Sequence, residues 1–214
     1  MKLLIGMPSL DYMHTDTVRC LSDLVIRLTK DRIPFDLDLE SGTLVYKARD
    51  RVANKAINEE YTHVLWLDSD MIFSTDILDD LMFCGKDFVT GVAHARRRPH
   101  QSCIFTDLSL DNIQKFQGEY PKDPFRIAGC GFAGVLTKVD TVLKPVMMQY
   151  GTCFLPTLHY GEDVAFCQRA TKLGIEIWCD PGVVLGHIGH IAIYPEDHER
   201  WRETISNYDE VVHK

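Results

Sequence analysis

His63-Val64-Leu65-Trp66-Leu67-Asp68-Ser69-Asp70 decides how this chain is read. The run from His63 to Leu67 is short and apolar, which predicts a buried strand. It stops abruptly at Asp68-Ser69-Asp70. Two carboxylates so close repel each other, and the pair is costly unless a cation neutralises it. Hard oxygen ligands suit Mg²⁺ or Mn²⁺, which also grip phosphate oxygens. A polar turn after a strand is the plainer alternative.

Outward from this stretch, the N-terminal side alternates. Residues 3 to 8 read as a buried strand; the apolar run of Met1-Lys2-Leu3-Leu4-Ile5 is too short for a signal peptide and Pro8 follows at once. Thr15 or Asp16 is expected to cap a helix with Val18, Leu21, Leu24, Val25 and Leu28 on one face. Pro34 ends it, and Phe35, Leu37 and Leu39 alternate as one side of a strand. A second helix is expected from Val45 to Glu60, with Val52, Ala53, Ala56 and Ile57 apolar. Beyond Asp70, Ser74 or Thr75 would cap a short helix carrying Ile77, Leu78 and Leu81. This β-α-β-α-β-α order predicts an α/β fold with a mostly parallel sheet and helices on its faces. Ligands of such sheets bind beyond the carboxyl ends of the strands, where Asp68 and Asp70 fall.

The C-terminal side is less regular. Strands are expected at Phe88 to His94, Ser102 to Phe105 and Ile175 to Cys179. Residues 107 to 125 read as a polar surface loop. Ile127 to Leu136 reads as a strand pair or bend punctuated by Gly129, Gly131 and Gly134; the spacing matches a phosphate-binding fingerprint only in form, and close approach to a sugar is the better reading. A helix is expected from Glu162 to Leu173, then an apolar stretch from Val183 to His190, then a polar helix from Pro195.

Bulk numbers set the bounds. The 214 residues allow one domain with a substantial core. Hydrophobic residues are 45% and charged residues 25%, an ordinary globular balance. The net charge of -8 argues against a nucleic-acid partner. The seven cysteines are odd in number and form no CxxC, which speaks for a reducing, cytoplasmic setting rather than a disulfide framework. No apolar run is long enough for a transmembrane helix.

Four further clusters carry possible chemistry. Glu162 and Asp163 open a helix; they serve either as dipole partners of its N-terminus or as a base toward a hydroxyl. His187 and His190 flank glycine, and a neutral imidazole suits Mn²⁺ beside carboxylates. Lys47, Arg49, Asp50, Arg51 and Asn54 read most simply as a solvated helix face, with nucleotide contact as the alternative. Arg96-Arg97-Arg98 is either a solvated loop or a contact for diphosphate or acceptor.

Together these segments resemble the GT-A fold glycosyltransferases, in particular the family-2-like group. The match runs in order through the N-terminal strand-helix-strand, Val64-Leu65-Trp66-Leu67-Asp68-Ser69-Asp70-Met71, Ile127 to Gly134, and Gly161-Glu162-Asp163-Val164-Ala165-Phe166-Cys167-Gln168-Arg169-Ala170 followed by Gly174, Asp180-Pro181 and His187. The resemblance implies a single GT-A-like, Rossmann-like domain over residues 1–214. A nucleotide-binding half would span about 1–95 and an acceptor-side half about 96–214. It implies a metal-dependent enzyme moving a sugar from a nucleotide-sugar, UDP-sugar first among them, to the hydroxyl of a glycan, lipid, protein or small molecule. Pro8, Arg49, Arg51, Asp68 and Asp70 would contact the nucleotide. Asp68, Asp70 and His187 would hold Mn²⁺ or Mg²⁺, with His190 the second choice for the histidine. Asp163 would be the base if the enzyme inverts, retention being the alternative, and Glu162 would bind the acceptor or orient Asp163. Asp50 stands where many relatives have Asn, which puts that nucleotide contact in question. The rival readings are a haloacid-dehalogenase-like phosphatase with Asp68 as nucleophile, a nucleotidyltransferase, and a non-catalytic nucleotide-binding relative.

Overall fold

The computed structural model describes residues 1–9, 12–109 and 112–189. Its elements run β1 (Leu3–Pro8), α1 (Thr15–Lys30), β2 (Phe35–Glu40), α2 (Val45–Asn58), β3 (His63–Leu67), β4 (Met71–Ile72), α3 (Ile77–Phe83), β5 (Phe88–Val92), β6 (Ile104–Ser109), β7 (Asn112–Lys115), β8 (Phe125–Ile127), β9 (Gly129–Cys130) and β10 (Gly134–Lys138). A π-helical turn at Val139–Leu143 leads into α4 (Lys144–Tyr150), and α5 (Glu162–Lys172), β11 (Ile177–Val184) and β12 (Gly186–His187) follow.

The central sheet has the order β2-β1-β3-β10-β5-β11-β8. β1 pairs in parallel with β2 and β3, and β5 with β11. β10 enters antiparallel between β3 and β5, and β8 is an antiparallel edge. The expected mostly parallel sheet is therefore interrupted by one reversed strand. That reversal has a consequence for the site. Gly134 at the start of β10 pairs with Leu67 at the end of β3. The chain just before β10 thus meets Asp68 at one sheet edge.

Both faces of the sheet are covered, as side-chain alternation demands. In β1, Leu3, Ile5 and Met7 pack with Leu21, Leu24 and Leu28 of α1 and Leu78 and Leu81 of α3. Leu4 points the other way, with Trp66, Phe88 and the helices α2, α4 and α5. Burying these side chains stabilises the fold by about 1.5–3 kcal/mol each before entropy is counted. Gly6 is required: a Cβ there would sit 2.5 Å from Val52 Cγ1, so only glycine admits α2 this close to β1.

Several expectations are corrected. His14, not Thr15 or Asp16, precedes the first turn of α1. The buried face of α1 is Thr17, Leu21, Leu24 and Leu28, while Val18 is exposed, because the 3.6-residue stripe runs 17, 21, 24, 28. Asp76, not Ser74 or Thr75, is the N-cap of α3, and Ser74 Oγ accepts the Asp76 N–H. Leu37 and Leu39 remain exposed because β2 is an edge strand. Residues 107–125 are not simply a loop. β6 and β7 pair antiparallel there, and their polar outer face hides the strand period. Helix at residues 139–150 had no counterpart in the sequence reading. The helix expected from Pro195 and the alternative ligand His190 lie outside the described residues.

Among the described residues no helix is long and apolar enough to cross a membrane.

Candidate active site

The carboxyl ends of β1 and β3, the segment before β10, the start of α5 and β12 surround one cavity of about 400 Å³. Pro8, Arg49, Asp68, Asp70, Glu162, Asp163 and His187 all line it. Arg51 does not. Its side chain is 59% exposed and pairs with Glu40, 3.2 Å away.

Arg49 is the largest correction to the sequence reading. It is no part of a solvated face: its side chain is only 4% exposed. Nη2 donates to Asp68 Oδ1 at 2.7 Å and Nη1 to Glu162 Oε1 at 2.6 Å. One guanidinium fork thus joins the end of β3 to the start of α5. Burial works to lower the Arg49 pKa, but Asp68, Glu162 and Asp163 outweigh it and hold it above its ordinary value. For Asp68 and Glu162 burial dominates, and both sit above the usual carboxylate range in spite of Arg49.

Asp50, the next residue on α2, works outside the cavity. Its carboxylate accepts the N–H groups of Cys153 at 2.9 Å and Phe154 at 2.8 Å, and the Thr152 hydroxyl. This anchors the segment leading to α5. The aspartate in place of an expected asparagine is accounted for by an acceptor-only role.

Asp70 faces different partners. β12 pairs with β4, with His187 opposite Met71, and the Ile188 N–H donates to the Asp70 carbonyl at 2.9 Å. This ribbon brings His187 Nε2 to 3.4 Å from Asp70 Oδ2. His187 Nδ1 lies 2.9 Å from the His94 carbonyl, which fixes it as the N–H donor and turns Nε2 toward Asp70. Arg96 Nη1 also donates to Asp70 Oδ2. Burial would raise the Asp70 pKa, but His187 and Arg96 hold it below the usual carboxylate range. The hydrogen bond to Asp70 in turn raises His187.

Asp163 sits at the N-terminus of α5, where Oδ1 accepts the Val164 N–H at 2.7 Å. Gly131 stands beside this carboxylate: a Cβ there would lie in ordinary contact distance, 3.7 Å, of Asp163 Oδ2. Gly129 and Gly134 instead admit neighbouring core side chains, Leu108 with Cys167 and Leu185 respectively. Tyr12 and Cys103 also line the cavity. No local pattern in the sequence marks either of them.

The donor set can be tested against a divalent cation. Among the described residues no group of three or more His, Cys, Asp or Glu side chains is gathered as a ready cage. Asp68, expected as a ligand, is turned to Arg49. Asp70 and His187 remain, one carboxylate oxygen and one imidazole nitrogen facing each other. Their 3.4 Å separation suits two neighbouring positions around one ion. The His94 carbonyl behind His187 is the orienting partner such a ligand needs. Mg²⁺ and Mn²⁺ commonly take few protein ligands and complete their shell with substrate phosphates and water. The pair fits that use.

No family model matches the chain, and no curated protein matches it in sequence. Solved structures do match. A197 from STIV aligns with a TM-score of 0.61 at 16% identity, over 89% of this chain and 87% of that one. GalNAc-T7, crystallised with UDP, GalNAc and Mn²⁺, aligns with a TM-score of 0.51 at 10% identity, over 89% of this chain and 44% of that one. At these identities the likeness is one of fold. This chain is an α/β protein that shares its architecture with A197 from STIV and with part of GalNAc-T7.

Proposed function

We propose that this chain is a divalent-metal-dependent glycosyltransferase that moves a sugar from a nucleotide-sugar, a UDP-sugar first among the candidates, to an acceptor hydroxyl. The observation that carries the reading is the meeting of Asp70 and His187, from distant segments, on the same cavity as Asp163. The likeness of fold to GalNAc-T7, a structure holding UDP, GalNAc and Mn²⁺, adds support.

Residues up to about 95 supply most of the nucleotide side, and those beyond it supply the acceptor side together with His187, which returns to the metal position. Pro8 and Arg49 lie along the nucleotide path, and Asp68, held by Arg49, faces the ribose. Asp70 and His187 hold Mn²⁺ or Mg²⁺; when bound, the ion offsets negative charge on the leaving diphosphate. Asp163 takes the proton of the acceptor hydroxyl as its oxygen bonds to the anomeric carbon. The bond from that carbon to the diphosphate breaks, and the diphosphate leaves with the electron pair. Transfer by this route inverts the anomeric centre. Glu162, pinned by Arg49, fixes the first turn of α5 and so the position of Asp163.

Calorimetric titration with UDP, GDP, CDP and their common sugars, with Mn²⁺ and again with EDTA, tests the reading. It expects one nucleoside diphosphate to bind only when metal is present. Absence of binding across the panel, or hydrolysis of phosphomonoesters without sugar transfer, would overturn it.

A further inference from the structure

Asp70 Oδ2 is shared. The same oxygen that faces His187 Nε2 at 3.4 Å accepts the Arg96 guanidinium. A divalent ion set between His187 Nε2 and the Asp70 oxygen that faces it would take that oxygen, and a cation already covers it. Resting on the reading of this cavity as a metal and nucleotide-sugar site, we propose that Arg96 is an exchangeable stand-in for the metal. It caps Asp70 in the ligand-free protein and turns to the donor's diphosphate when the ion takes its place.

The segment is built for such an exchange. Its backbone is pinned: the Ala95 N–H donates to the Gln101 carbonyl at 2.8 Å and the His100 N–H to the Arg97 carbonyl at 2.9 Å. His94 bridges to Ser102. A Cβ on Gly189 would lie 3.2 Å from Arg96 Cβ, so the β12 segment also packs against the Arg96 backbone. The side chain, by contrast, is 53% exposed and lines the cavity. Turning it requires changes about side-chain bonds and no movement of the sheet.

The charges agree with the exchange. Arg96 and Asp70 cancel in the free site. With a divalent ion on Asp70 and His187, the released guanidinium gives the cavity a positive group that, unlike Arg49, no carboxylate holds. A nucleoside diphosphate carries several negative charges, and a planar fork suits its phosphate oxygens. Asp68 cannot play the part of Asp70, because its guanidinium partner Arg49 is buried and also held by Glu162. The exchange makes metal and diphosphate binding mutually reinforcing, since each removes a competitor of the other.

The test is Arg96→Ala beside Arg96→Lys, with melting curves as the folding control. Mn²⁺ alone is titrated by electron paramagnetic resonance, and UDP and GDP are then titrated by calorimetry at saturating Mn²⁺. Arg96→Ala is expected to bind Mn²⁺ roughly two- to fivefold more tightly, the worth of one exposed ion pair. It is expected to bind the nucleoside diphosphate about tenfold more weakly, the worth of a charge-assisted contact. Arg96→Lys keeps the charge and should stay near wild type for Mn²⁺ alone. Unchanged or weaker Mn²⁺ binding by Arg96→Ala, in a background where the wild type binds Mn²⁺ and nucleotide, overturns the exchange and leaves the glycosyltransferase reading standing. Unchanged nucleotide affinity does the same. Failure of both wild type and variant to bind Mn²⁺ overturns both.

Discussion

The two carboxylates of Asp68-Ser69-Asp70 are near neighbours in sequence but stand in different surroundings. Asp68 is pinned by a buried cation. It belongs to a triad with Arg49 and Glu162 that ties β3 to α2 and α5. Asp70 is about as exposed as Asp68, but one of its two partners, Arg96, is a solvent-facing side chain, and the other, His187, arrives on β12. The first end is a fixed girder. The second is a place where one positive group can replace another. The difference teaches that spacing alone does not assign a ligand: carboxylates two residues apart divide between structure and exchange according to what the fold sets against each.

The sharpest break of this comparison removes neither end. Asp163→Asn keeps the Arg49–Asp68 and Arg96–Asp70 pairs in place, so donor binding should persist while transfer falls by about 10²–10⁴-fold. Transfer at near wild-type rate would remove Asp163 as the base. Next is Arg49→Met, which leaves Asp68 and Glu162 without their shared cation. Removing one partner of a well-buried pair is strongly destabilising, and here a loss on the order of 3 kcal/mol is expected because both carboxylates keep some solvent contact. Urea denaturation measures it.

At the second end, Asp70→Asn should abolish metal-dependent nucleotide binding with little change in melting temperature. Calorimetry with Mn²⁺ and EDTA reads the first and a thermal scan the second. A variant that unfolds would place Asp70 with Asp68 as a structural group and erase the contrast.

The pair with His187 also predicts a pH effect. His187 is held above its ordinary value of 6.5 by Asp70, so its contribution to stability is complete below that pH and fades as pH rises through the folded value. Asp70 is held below its ordinary value of 3.8, so its contribution is complete above that pH and fades only in stronger acid. Without metal, the stability advantage of wild type over His187→Ala should therefore be greatest between roughly pH 4 and 6.5. An advantage that grows toward pH 8 would contradict the pairing. The smallest effect is expected of Arg51→Ala. Its exposed pair with Glu40 should be worth less than about 1 kcal/mol, with nucleotide affinity unchanged.

How much of this was legible follows from range. The order from β1 to α3 could be read because each element carries its own period and the breaks are local, as at Pro34 and Asp68. The reversed β10 could not, since nothing within Gly134 to Lys138 states which strands it will join. Glu162 and Asp163 could be picked out by their place at a helix start. Arg49 was marked only by the resemblance, because its own charge looked like surface until carboxylates 19 and 113 residues away closed around it. Arg51 beside it carried the same signal and went to the outside.

By itself, then, the sequence determined an alternating α/β first half, the strand that ends at Asp68, and the residue types able to handle a cation and a hydroxyl. Those properties depend on neighbours within one helical turn or one strand. Only the tertiary structure decided which carboxylate Arg49 would claim, that His187 would face Asp70 through the β4–β12 ribbon, and that Arg96 would cover the oxygen between them. Those outcomes depend on the antiparallel entry of β10 and on chain reversals far apart in sequence, where burial and charge pairing are settled together.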